Sequence, residues 1–203
     1  MKITILNALD FTKYLSEGLS FAQYRSDFEK NALAAKSGNA VGSPHPEVLP
    51  LNWQRSTRVE KTFLLDPVLM KRLEALDHKL VWLVITESWC GDSAQSLPVI
   101  ARIAEASHGM IDLRIILRDT NIELMDAFLT DGKRGIPKLI QLDSKGNILK
   151  TWGPRPLAAQ ELIDRLKRDP VLCETHKEEL HKWYAHDRCE SIQKELSDLL
   201  PLS

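Results

Sequence analysis

Cys90, Cys173 and Cys189 carry the most reactive side chains of the sequence, and the first has a neighbourhood suited to chemistry. The apolar run Leu80–Thr86 leads into Glu87-Ser-Trp-Cys-Gly-Asp-Ser93, after which apolar residues recur at helical spacing. Cys90 is thus expected at a helix N-terminus, where unpaired N–H groups and the positive dipole end face its sulfur. Only a thiolate attacks a disulfide, and both features favour the anion. Asp92 and Glu87 oppose that shift if they lie close. An odd, sparse cysteine set argues against a secreted disulfide scaffold and for a reducing compartment, the cytoplasm.

A second constellation, Cys173-x2-His176-x4-His181-x4-His186-x2-Cys189, has the look of a metal-ligand array. On a continuous helix, steps of five residues turn successive histidines by about 140°, so they diverge. No metal and no cofactor are expected.

The elements that must position Cys90 follow from periodicity. Helices are expected over 13–36, 47–61 (with Pro50 in the first turn), 68–76 after Asp66-Pro67, 90–107, 122–129 and 158–167. Ser37–Pro46, with two glycines and two prolines, reads as a linker. Strands are expected over 80–86, 113–118, 138–142 and 148–152, the last two joined by a turn at Asp143–Asn147. Leu80–Thr86 is apolar throughout and β-branched, as in a strand covered on both faces. Residues 176–200 read as an amphipathic helix. Alternation of helix and strand followed by a hairpin gives an α/β fold, a mixed four-stranded sheet flanked by helices. The chain divides into an N-terminal helical extension (1–64), a central domain (65–169) and a C-terminal helix packing on it (170–203).

Trp89 directly before Cys90, Gly91 after it, Pro98 farther along the same helix and Gly135-Ile136-Pro137 at a later strand start together resemble the thioredoxin superfamily. Within it the chain looks like bacterial thioredoxin-like proteins with a Trp-Cys-Gly-Asp motif and an N-terminal helical extension. The resemblance covers about half the chain and implies a thioredoxin-like fold. It also implies a cis-proline at Pro137, with the Ile136 backbone beside Cys90 to pair with an extended substrate. Arg134 and Arg155 would flank the loops facing Cys90, where they lower its pKa, hold a carboxylate of a small thiol, or simply stay solvated. Trp89 is expected to shield the thiol as a surface aromatic, with Gly91 and Asp92 completing the substrate-facing surface.

One departure matters. Thioredoxins carry a second cysteine three residues after the first, and here that position is Ser93. Its hydroxyl can hydrogen-bond a thiolate but cannot resolve a mixed disulfide. The buried acid of the family is also absent, because Val84 stands in its place; both losses fall on the resolving step. If the pKa fell from ~8.5 to ~6, the thiolate fraction at pH 7 would rise about 30-fold while nucleophilicity fell about 13-fold. The remaining gain is a better leaving group.

The formal net charge of −1 gives no electrostatic reason to expect nucleic acid or an anionic membrane as partner. No apolar run approaches the ~20 residues of a membrane helix. The opening Met1–Asp10 is not read as a signal sequence, since polar residues interrupt its apolar stretch. Three functions stay open. The first is monothiol thiol–disulfide exchange through Cys90 on a protein or low-mass thiol. The others are a non-catalytic thioredoxin-fold binding module and a glutaredoxin-like iron–sulfur carrier.

Overall fold

The computed structural model describes residues 9–39 and 42–201, so most of the apolar opening stretch, Met1–Ala8, lies outside the described residues. The sheet comprises β1 (Leu80–Thr86), β2 (Ile111–Leu117), β3 (Lys138–Asp143) and β4 (Ile148–Trp152), in the order β2-β1-β3-β4. β1 runs parallel to β2 and antiparallel to β3, and β3 pairs antiparallel with β4. This is the expected mixed sheet. β2 starts two residues before the expected Leu113, because Ile111 pairs with Leu80.

Period-two alternation along β1 explains its unbroken apolar run. Leu80, Trp82 and Val84 enter one buried cluster, while Leu83 and Ile85 enter a second. The first cluster reaches from Tyr24 to Leu200, so the N- and C-terminal segments share a core with the sheet. Inside it the Trp82 indole donates to Gln141 Oε1 (3.0 Å), and Gln141 Nε2 donates to Leu199 O (3.1 Å). Gln141 thereby ties the C-terminal segment to the sheet with its polar atoms satisfied.

The expected helix over 13–36 is two helices, α1 (Thr12–Glu17) and α2 (Phe21–Lys36). Between them Leu19 exchanges two backbone hydrogen bonds with Ile115, each 2.9 Å, on the outer edge of β2. Covering an edge strand satisfies groups that a continuous helix would leave open. Ser20 then caps α2 in a reciprocal pair with Gln23. A 3₁₀ turn at Pro46–Val48 precedes α3 (Leu49–Thr62), which carries Pro50 in its first turn. Asp66 caps α4 (Pro67–Glu74), accepting from the Val68 N–H at 2.7 Å.

After β1 come α5 (Gly91–Ala106), β2 and α6 (Ile122–Ala127), and α7 (Leu157–Arg168) follows β4. The C-terminal amphipathic stretch also divides, into α8 (His176–Asp187) and α9 (Glu190–Ser197). The break lies at Arg188 and Cys189, both left-handed (φ 50° and 69°), and it turns Cys189 into the apolar cluster. No described helix is long and apolar enough to cross a membrane.

Candidate functional site

Cys90 occupies the N-cap of α5, immediately after β1, as its sequence context requires. Its side chain is largely buried, 8 % exposed, and its S–H donates to the Ile136 carbonyl at 3.2 Å. The Ile136–Pro137 peptide is cis, as the resemblance implied, and so is Gly153–Pro154. These two loops interlock: a Cβ on Gly135 would lie 3.1 Å from Pro154 Cγ.

Burial reverses the expected shift of the thiol. Desolvation first, and then the Asp92 charge, push the Cys90 pKa up to about 11. The Ser93 hydroxyl and the N–H groups of Ser93 and Asp92 pull the other way and do not overcome the cost of an anion there. At pH 7 a pKa of about 11 instead of ~8.5 cuts the thiolate about 300-fold. The gain in intrinsic nucleophilicity recovers about 13-fold of that. In this arrangement burial holds the Cys90 thiol protonated, contrary to the sequence-based expectation of a lowered pKa. Ser93 Oγ is buried without a hydrogen-bond partner, so it is free to stabilise sulfur if the anion forms.

Asp92 and Arg155 are engaged with each other. The Arg155 Nη2 and Nε atoms donate to Asp92 Oδ2 at 2.5 and 3.2 Å, and Tyr184 Oη donates to Oδ1 at 2.7 Å. Both ionic side chains are poorly exposed, 18 % for Arg155 and 9 % for Asp92. This network joins α5, the turn after β4 and α8. Arg134 points elsewhere: it forms an exposed pair with Asp126 at 2.6 Å and does not line the cleft beside Cys90. Glu87 is buried and its carboxyl pKa is raised by desolvation; it accepts from the Asp119 N–H at 2.8 Å. Trp89 is half-buried rather than a free surface shield. It stands between His45 (ring centroids 5.3 Å apart) and the Arg118 guanidinium (4.5 Å), and its indole donates to Asp119.

Residues outside the sequence-based set complete the site. The segment read as a linker brings His45 to Trp89, Asn52 of α3 donates to Ser88 O at 3.2 Å, and Arg55 stands next to Gly91. From the other end of the chain, α8 lays His181 over the same glycine. A Cβ on Gly91 would lie 2.8 Å from His181 Cε1 and Nε2, so glycine is what admits the ring there. Burial, with Arg55 second, pushes the His181 pKa down to about 4. The stability this neutral ring contributes is present above pH ~6.5 and lost as pH falls toward 4. The terminal segments and α5 enclose a cleft of about 670 Å³ with Cys90 on its wall. No local periodicity signals this convergence.

The C-terminal His/Cys array is dispersed. His176 Nδ1 lies 2.5 Å from Cys173 O and His186 Nδ1 2.8 Å from Lys182 O, while His181 faces Gly91 and Cys189 is in the core. Among the described residues no three His, Cys, Asp or Glu side chains converge as a metal site would require.

A pH test follows from the buried thiols. Alkylation of Cys90 by iodoacetamide is expected to climb about tenfold per pH unit from about 7 to 10 without levelling, whereas an exposed thiol levels off near 9. Peptide mass spectrometry reads the Cys90 rate, and a plateau below pH ~9 contradicts control by burial. Because Cys90 and Cys189 both have pKa values raised from 9.0 to about 11, the folded chain keeps these protons longer than the unfolded chain. Their contribution to stability is therefore complete below pH ~9 and is lost as pH rises toward 11.

A family model described as thioredoxin matches residues 47–167, a span that includes the whole of α3. The fold is similar to the crystal structure of a protein of unknown function from Pseudomonas aeruginosa. That chain shares 18% identity and a TM-score of 0.66, over 94% of this chain and 96% of the other. An HIV epitope scaffold gives 17% identity and a TM-score of 0.63, over 94% and 97%. No curated protein matches the chain.

Proposed function

Because the chain belongs to the thioredoxin family, we propose that it is a monothiol thiol–disulfide exchange protein acting through Cys90 in a reducing compartment such as the cytoplasm. The observation that carries this reading is the placement of one sulfur. Cys90 occupies the N-cap position of the 16-residue α5, contacts the Ile136 carbonyl, and forms part of the wall of an open cleft. In the exchange, Cys90–SH and R–S–S–R′ give Cys90–S–S–R and R′–SH, the thiol proton leaving with the released thiol. A second thiol, R″–SH, then displaces Cys90 and regenerates Cys90–SH with R–S–S–R″. No external oxidant or reductant enters, and the missing resolving cysteine at position 93 is supplied by the second thiol.

The raised thiol pKa favours a second reading, a thioredoxin scaffold that binds without exchanging. Incubation of the native chain with bis(2-hydroxyethyl) disulfide separates the two. Because Cys173 is a partly exposed free thiol, the readout is the Cys90 peptide: exchange predicts a mixed disulfide on that peptide that is absent in Cys90→Ser. A native chain that forms none at Cys90 at pH ~9, while Cys90 of the urea-unfolded chain reacts, leaves only the binding reading.

A further inference from the structure

We infer that the cleft beside Cys90 selects a low-mass thiol or disulfide carrying carboxylate groups, with Arg55 and Lys167 as its anion-binding side chains. This inference rests on the reading of Cys90 as an exchange centre and adds the substrate class. The first argument is size. A cleft of about 670 Å³ falls in the range of roughly 300–1,000 Å³ typical of small-molecule sites. Cys90, 8 % exposed and overhung by the terminal segments, is accessible to a slender ligand rather than to a disulfide on a folded protein surface.

The second argument is charge. Arg55 is half-buried, yet its one side-chain hydrogen bond is to neutral Asn52 Oδ1 at 2.9 Å, and no carboxylate among the described residues pairs with it. Burial and the neighbouring Arg58 lower its pKa, which is the mark of a cation left without a counter-charge. Lys167 and Lys177 on the same cleft likewise have no ion-pair partner among the described residues.

Two of the three acids of the lining are already engaged: Asp92 is held by Arg155 and Tyr184, and Glu178 lies 2.9 Å from Lys182. Glu47 is an exposed carboxylate 3.6 Å from His45. The positive end of α5 opens on the same space. A planar guanidinium at the cleft wall matches a carboxylate through paired N–H donors. Placed there, a carboxylate would supply the missing counter-charge while the disulfide sulfur reaches Cys90.

The test uses three small disulfides of similar size: anionic 3,3′-dithiodipropionate, neutral bis(2-hydroxyethyl) disulfide and cationic cystamine. Rates of adduct formation at Cys90 are read by peptide mass spectrometry on the native full chain and normalised to the urea-unfolded chain. The expected result is a preference for dithiodipropionate over cystamine of about tenfold in the native chain, shrinking in about 1 M salt. The preference is expected to fall severalfold in Arg55→Gln and also in Lys167→Gln, whose exposed position makes it tolerant of substitution. Equal normalised rates, or faster reaction with cystamine, overturn the inference while leaving exchange intact if the neutral disulfide reacts. Failure of all three to modify native Cys90 overturns both.

Discussion

Replacing Asp92 by Asn is expected to destabilise the chain by about 3 kcal/mol and at the same time to make Cys90 about tenfold more reactive at pH 8. The two effects have one cause. Asp92 is buried against Arg155 and Tyr184, so its neutral replacement leaves a poorly exposed guanidinium without its counter-charge. Breaking a buried pair by removing one partner typically costs about 3–5 kcal/mol. For a chain of this size that corresponds to a fall of roughly 6–12 °C in Tm. Asp92 is also the charge that raises the Cys90 pKa, second only to burial. Removing it leaves Arg155 as the nearby charge, which favours the thiolate. Thermal unfolding and iodoacetamide kinetics check the two halves separately. A variant that is destabilised yet slower at Cys90 would show that Asp92 does not set the state of the thiol.

Gly153→Ala is expected to cost more than about 3 kcal/mol, whereas Gly146→Ala is expected to cost about 1 kcal/mol. Both glycines have positive φ, 111° and 83°. They differ in what surrounds them. A Cβ at Gly153 would fall 2.1 Å from the Pro137 carbonyl oxygen, a backbone atom, while at Gly146 nothing lies within 4 Å. The first substitution must displace the loop that holds Ile136 against Cys90, and the second adds only conformational cost in the β3–β4 turn. Urea midpoints of the two variants measure the difference. Similar losses in both would mean that the loop yields and that its position is not fixed by Gly153.

The parts of this architecture legible in the sequence are those encoded locally. β1 is recognisable because residues of both its faces are buried in the two apolar clusters, which makes the run from Leu80 continuous. The start of α5 at Cys90, the Asp66 cap and the Gly135-Ile136-Pro137 loop carry their signals in adjacent residues. The breaks at Gly18 and at Arg188–Cys189 are less visible, because an edge bridge to Ile115 and burial of Cys189 override helical spacing. The site itself is legible in part. Cys90 and Ser93 stand where their motif places them, but Arg55, His181 and Tyr184 approach from opposite ends of the chain. The sign of the Cys90 shift depends on its burial in an apolar cluster drawn from several elements. A helix N-terminus stabilises sulfur locally, while desolvation by burial outweighs it.

Turnover at Cys90 is the most direct test of exchange. Substoichiometric native chain is mixed with bis(2-hydroxyethyl) disulfide and a second low-mass thiol, and appearance of the new mixed disulfide is followed from pH 7 to about 10. The account predicts acceleration over the uncatalysed reaction that grows with pH as the buried thiol ionises, that passes through a Cys90-linked intermediate, and that is lost in Cys90→Ser. A rate equal to that of Cys90→Ser across the whole range would contradict it.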